Sequence, residues 1–288
     1  MLAIFKREFK SYFHTVIGFL FVAVLTFFLG LYFLLINALS GYPYVGVIFA
    51  SVIFIFMFAF PILTMRSMAE DQKTKTDQLL LTSPASVTGM VMGKFLAMAA
   101  VYAIPCLLAA TLPLITLLRT NHYPVSDLLG LVMFFLVGCV YIAIGQFLSS
   151  LTESQVIAAI LTILTFVVVY LCASISSYVP DTAVASLVGF AIILIAVCVI
   201  YFVQSRNLIV TGGILLIGAV VLGVLYGVKS DLLAGKINTV LDAINLTEPI
   251  TKIADYHVFD LKGVVYYVSL IAFFCFLTIQ SVQKKRWS

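Results

Sequence analysis

Long apolar runs alternate along the chain with short polar stretches. Eight runs cover 15–36, 44–65, 95–118, 128–150, 156–178, 186–204, 208–227 and 263–282. Each is close to the roughly 20 residues a helix needs to cross a bilayer. Lipid offers the backbone no hydrogen-bond partner, so a crossing segment must be a helix or a strand of a closed barrel. Barrel strands alternate apolar and polar residues, and these runs do not. The pattern predicts an all-α polytopic membrane protein of about eight transmembrane helices. Only Ser205 to Asn207 part the sixth run from the seventh, and Arg206 argues that the chain reaches water there. The first run is too long for the core of a cleaved signal peptide, and no small-residue cleavage site follows it.

Three polar stretches carry periodicities of their own. In 1–14, Ile4/Phe5, Phe9 and Tyr12/Phe13 recur at helical spacing with Lys6, Arg7 and Lys10 on the other side. That suits an N-terminal interfacial helix with its bases near anionic headgroups. In 228–262, Leu232, Leu233, Ile237, Val240, Leu241 and Ile244 mark one helix face, with Asp231, Lys236, Asn238 and Asp242 opposite. This stretch is too polar to span and too apolar for a free loop. Pro249 ends its pattern, and a second short amphipathic piece follows. Asn245-Leu-Thr247 reads as a chance sequon.

The third stretch is 66–94. Ser67 and Glu70 have capping-box spacing, so the second span extends as helix through Asp71. Thr76 and Asp77 offer a new N-cap ahead of Leu79, Leu80 and Leu81, Pro84 stops that turn, and Ser86 caps the next helix. The expected product is a short cytoplasmic helix presenting three leucines. These are covered either by a partner or by the membrane surface.

Composition agrees with the pattern. The chain is 63% hydrophobic and 10% charged with a mean hydropathy of +1.19, against about 25% charged residues in soluble domains. With the N-terminus inside, cytoplasmic segments hold eleven of the 16 basic residues: Lys6, Arg7, Lys10, Arg66, Lys73, Lys75, Lys94, Arg206, Lys284, Lys285 and Arg286. Arg119, Lys229, Lys236, Lys252 and Lys262 fall outside. The positive-inside bias puts both termini and 66–94 in the cytoplasm, so the net charge of +4 reports topology and not nucleic-acid binding.

Chemistry is sparse. Cys106, Cys139, Cys172, Cys198 and Cys275 all fall in predicted spans without metal or disulfide spacing and read as packing residues. His14, His122 and His257 are scattered. The nearest approach to a phosphate loop is Gly89 to Phe95. Thr88 stands where the first glycine of a Walker motif belongs, and Phe95 where its hydroxyl residue belongs. No acidic or basic residue falls well inside a predicted span, which argues against an ion-coupled carrier. Ser149, Ser150, Thr152, Glu153 and Gln155 read as a solvated turn. Gly223 to Gly227 has GxxxG packing spacing.

The stretch FPILTMRSMAEDQKTKTDQLLLTSPASVTGMVMGKFLA resembles the signature of ABC-2 type transporter permeases. The matching positions are Arg66, Glu70/Asp71, Thr76, Leu79/Leu80, Pro84, Ser86 and Gly93/Lys94. The two ends of the chain resemble the gliding-motility (GldF-like) subfamily. The resemblance implies an ABC-2 core of six spans, also called type V exporter-like, here with an extra pair at 186–204 and 208–227. It implies a permease subunit, and not itself an enzyme, in the bacterial cytoplasmic membrane. A separate ABC ATP-binding subunit would carry ATP and Mg, so this chain would hold no cofactor. In the family the loop after the second span carries the coupling helix. Leu79 and Leu80 would then fill a groove of the ATPase, and Glu70, Asp71, Lys73, Thr76 and Asp77 would line its rim. Further expected partners are a second permease copy or related permease, membrane lipid, and a membrane protein with a large outer domain (GldG-like). The alternative reading is an ATP-independent secondary transporter or channel.

Overall fold

The computed structural model describes residues 1–76, 86–120, 125–176, 178–205, 208–228, 234–256 and 260–287. Regular structure among them is entirely helical. Six helices among the described residues are long and apolar enough to cross a membrane: Val16–Leu39, Gly46–Lys73, Val87–Leu118, Val125–Ser150, Gln155–Ser176 and Leu261–Lys284. The expected sixth and seventh runs fall on two further apolar helices, Ala183–Ser205 and Leu208–Val228.

The chain divides into two compact units, the first made of Met1–Val167 with Thr247–Ser288 and the second of Val168–Leu246. In the first unit, α1 (Leu2–His14) precedes α2 (Val16–Tyr32), which runs on as a π-helix over Phe33–Leu39. Asn37 inside that segment donates to the carbonyls of Tyr42 and Tyr44 at 2.7 and 3.3 Å, closing the connection to α3 (Gly46–Lys73). Next come α4 (Val87–Ala109), α5 (Thr111–Thr120), α6 (Val125–Ser150) and the first half of α7 (Gln155–Ser176). Later in the chain α11 (Glu248–Tyr256) and α12 (Leu261–Trp287) complete the unit.

The central seam joins α3 and α6, which run parallel and in register. At one end the N–H groups of Val45 and Gly46 donate to Asp127 Oδ1 at 3.1 and 3.3 Å. At the other, Met68 and Ala69 reach Ser149. Such proximity needs small residues: a Cβ on Gly145 would overlap Thr64, and one on Gly138 would overlap the ring of Tyr102. The buried aromatics Phe49, Phe56, Phe60, Tyr102, Phe134 and Tyr141 fill the middle. Phe56 and Phe60 meet edge to face at 4.6 Å. Tyr102, on antiparallel α4, donates to the Phe134 carbonyl at 2.7 Å.

α11 packs on α3 and α6 near their first turns, with Ile250, Ile253 and Ala254 buried. Gly46 permits this, since its Cβ would lie 3.3 Å from the Cα of Ala254. The two amphipathic pieces expected in 228–262 are two helices, with Leu232 and Leu233 outside the described residues. One expectation is corrected: the first piece stops at Ile244, and Pro249 lies in the first turn of α11, where its missing N–H costs nothing.

In the second unit α8 (Ala183–Ser205) packs on α9 (Leu208–Val228), and α10 (Lys236–Ile244) lies on α8. The left-handed Gly235 (φ +69°) opens α10. Asn238 donates to the Val179 carbonyl at 2.9 Å and to Asp181 Oδ1 at 2.7 Å. Of the GxxxG pair, a Cβ on Gly223 would meet nothing within 4 Å, so that glycine is not buried in a packing seam of this chain.

Candidate functional site

Polar side chains converge where α1 meets the C-terminal end of α3 and the second turn of α4, beside the end of α6 packed on α3. Ile4, Glu8 and Tyr12 fall at i, i+4 and i+8, one stripe of α1, and Ile4 and Tyr12 are buried. Gly93 lets this stripe lie close on α4, since a Cβ there would meet Ile4 Cβ and the Met1 carbonyl at 3.2 Å. One residue on is Lys94, with only 3% of its side chain exposed. Its ammonium accounts for three neighbours: the Ser67 carbonyl at 2.6 Å, Glu8 Oε1 at 3.2 Å and Asp71 Oδ2 at 2.7 Å. The Asp71 contact is an ion pair without hydrogen-bond alignment. A buried cation is tolerated only when paired in this way. Three segments are thus tied through one nitrogen.

A second cation ties α1 to α3 further up. Arg66 is bonded to Glu70 and donates to Thr15 Oγ1 at 3.1 Å and Ser11 Oγ at 3.0 Å. Tyr12 donates to the Leu63 carbonyl at 3.2 Å. Burial first, then the nearby Glu8 carboxylate, pushes the Tyr12 phenol above its ordinary range. Arg7 sits 2.6 Å from Glu8, and that bond raises the guanidinium pKa despite the opposing effect of burial.

The end of α6 completes the joint. The Ser149 hydroxyl is wedged into the backbone ladder of α3. It accepts from the N–H of Met68 and of Ala69, both at 3.1 Å, and donates to the Met65 carbonyl at 3.0 Å. Gln72 donates to the Ser150 carbonyl at 3.0 Å, Ser150 pairs with Ser281 of α12 at 3.0 Å, and Gln146 donates to the Val91 carbonyl at 3.0 Å. The expectation of a solvated turn at Ser149 and Ser150 is therefore wrong. Both are fully buried, because their hydroxyls bond groups on neighbouring helices.

The joint grips both stalks of the segment between α3 and α4. On one side α3 runs unbroken to Lys73, so Ser67 and Glu70 do not form a capping box and Glu70 turns to Arg66 instead. The chain then turns at left-handed Lys75 (φ +56°), and Thr76 donates to Asp71 Oδ1 at 3.1 Å. On the other side Ser86 caps α4 as expected, accepting from the N–H of Gly89 at 3.1 Å. Lys94, grouped by sequence with the cytoplasmic segment 66–94, thus lies within this helix and is buried. Of the predicted partner-binding residues, Glu70 and Asp71 are engaged within the chain, Thr76 bonds Asp71, and Lys73 is exposed. Asp77, Leu79 and Leu80 lie outside the described residues.

Sequence reasoning missed Glu8, Ser11, Gln146 and Ser149. For Glu8 a signal existed, since a lone acid between Ile4 and Tyr12 on a buried stripe requires a cationic partner. Among the described residues no group of three or more His, Cys, Asp or Glu is arranged to hold a metal ion.

A model for a family described as ABC-2 family transporter protein matches residues 35–228, well over half of the 288 residues. No curated protein matches the chain. The region matched by the family model runs from the π-helix after α2 through α3, α4 and α6 to the end of α9. Multiple long apolar helices and this match together make the chain a multi-pass membrane permease, and it belongs to the ABC-2 transporter family.

Proposed function

We propose that this permease is the membrane subunit of an ATP-driven exporter, and that a separate ATP-binding subunit docks on the segment 77–85. In this reading ATP and Mg reside on the partner. Both termini and the 66–94 segment face the cytoplasm of a bacterium, and α8 with α9 add a pair of spans to the six. A second permease copy or related permease completes the translocation path, and a gliding-motility type system adds a membrane protein with a large outer domain.

The observation that carries the reading is the clamping of both stalks. Asp71 before the segment and Lys94 after it are held 2.7 Å apart, and Glu8 and Ser149 extend the grip to α1 and α6. A rigid base under a short docking segment converts a push on that segment into a joint movement of the helices it ties. Loosely tethered stalks would dissipate it. Leu79 and Leu80 supply the apolar contact in this arrangement. Lys73 and Lys75, both exposed, supply charge at its edge.

Co-purification tests the reading. Burying a leucine is worth about 1.5–3 kcal/mol and desolvating an unpaired carboxylate costs more. Leu80→Asp should therefore weaken ATPase binding by about a hundredfold or more, at tenfold per 1.4 kcal/mol. Lys75→Glu should have little effect, since an exposed ion pair contributes about 0–1 kcal/mol. Undiminished ATPase capture by Leu80→Asp would defeat the docking assignment and favour leucines resting on the membrane.

A further inference from the structure

Beside the polar joint, between the first turns of α1 and the middle of α4, lies an apolar cavity of about 510 Å³. Leu2 and Phe5 form one wall, Leu96, Ala100 and Ala103 the other, and Phe135 closes the back. Its volume is within the roughly 300–1,000 Å³ of ordinary ligand sites. Small residues on α4 make the hollow, and its lining, Met1 included, is almost wholly apolar, so it suits a hydrocarbon chain.

The surface next to it has the opposite character. Going round α1 from the buried Ile4–Glu8–Tyr12 stripe, the next strip holds Phe5, Phe9 and Phe13, with ring centroids 6.0 and 5.1 Å apart. Beyond that strip, Leu2, Lys6 and Lys10 follow each other at i, i+4 and i+8. Both lysines are exposed, and among the described residues neither forms an ion pair. The wall residue Leu2 and the two bases are therefore on one line of one helix. A ligand that fills the groove brings its head to this line.

We propose that the groove binds an anionic phospholipid, with an acyl chain between α1 and α4 and the phosphate on Lys6 and Lys10. The proposal rests on the membrane location of the chain and not on ATPase docking. A second copy of the chain fits less well, because a two-fold contact across this face sets basic stripe against basic stripe.

Native mass spectrometry of the full chain, released from vesicles holding equal phosphatidylglycerol and phosphatidylcholine, provides the test. Retention of one phosphatidylglycerol in preference to phosphatidylcholine is expected. Lys6→Gln with Lys10→Gln should reduce that preference roughly thirtyfold, from the attraction of two bases to anionic headgroups. Both positions are exposed, so the double variant folds. Ala100→Phe should remove the retained lipid by filling the groove. Equal retention of both lipids, or a preference untouched by the lysine variants, overturns the proposal. So does Ala100→Phe converting a dimer to monomers while the retained lipid stays, which assigns the groove to a second copy.

Discussion

Replacing Lys94 by methionine keeps an unbranched chain out to Cε and removes the charged terminus. The ammonium, 3% exposed, compensates Glu8 and Asp71, whose side chains are 14% and 19% exposed. It also donates to the Ser67 carbonyl at 2.6 Å. Removing one partner of a buried ion pair costs about 3–5 kcal/mol because the other charge stays buried. Here the residual exposure of both carboxylates and the Arg7 contact to Glu8 favour the lower end, about 3 kcal/mol. At about 2–4 °C per kcal/mol for chains of this size class, the melting temperature in detergent should fall by about 6–12 °C. The triple variant Lys94→Met, Glu8→Gln, Asp71→Asn leaves no uncompensated buried charge, since Arg7, which loses Glu8, is half exposed. It should recover most of the loss, as neutral replacements of whole buried pairs do. Thermal unfolding of the wild type and both variants reads the comparison directly. A single variant that melts with the wild type, or a triple variant no better than the single, would refute the claim that Lys94 clamps the stalks.

Gly145→Leu drives a side chain into Thr64 and should destabilise by about 1–3 kcal/mol, whereas the Cβ of Gly223→Ala meets nothing within 4 Å and should leave the detergent melting curve without such a loss. The Tyr12 phenol titrates higher in the fold than in the unfolded chain, so its contribution is intact below pH about 10 and is lost as pH rises beyond it. Tyr12→Phe should therefore flatten the alkaline decline in melting temperature, and an unaltered slope would contradict the buried contact. Single cysteines at exposed positions of 66–94, such as Lys73 and Lys75, and at 284–288 should react from the cytoplasmic side, and those at exposed positions of 229–262 from the outer side. Labelling of both groups from one side would break the eight-span topology.

The helices themselves were legible because lipid demands continuous apolar runs, and Val125–Ser150 departs from the expected 128–150 by only three residues at its start. Facing was not legible. Ser149 looks like any polar residue at a helix end, and only the parallel register of α3 and α6 puts its hydroxyl among the N–H groups of Met68 and Ala69. Lys94 was counted with the cytoplasmic bases of 66–94 because charge normally marks water. Its burial follows from the convergence of Glu8 and Asp71, 86 residues and 23 residues away in sequence, which no local pattern reveals. The Glu70/Asp71 pair was seen as rim charge for a partner. The structure uses both within the chain, since the uninterrupted α3 carries them back over α1 and α4.

The central claim is that residues 77–85 are the seat of a separate ATPase. A photoreactive amino acid in place of Leu80, activated in native membranes, tests this at the position concerned. The account predicts a crosslinked adduct with an ATP-binding-cassette subunit, strong at position 80 and weak when the same probe replaces the exposed Lys75. Adducts to lipid alone, with no ATP-binding subunit captured at position 80, would contradict it.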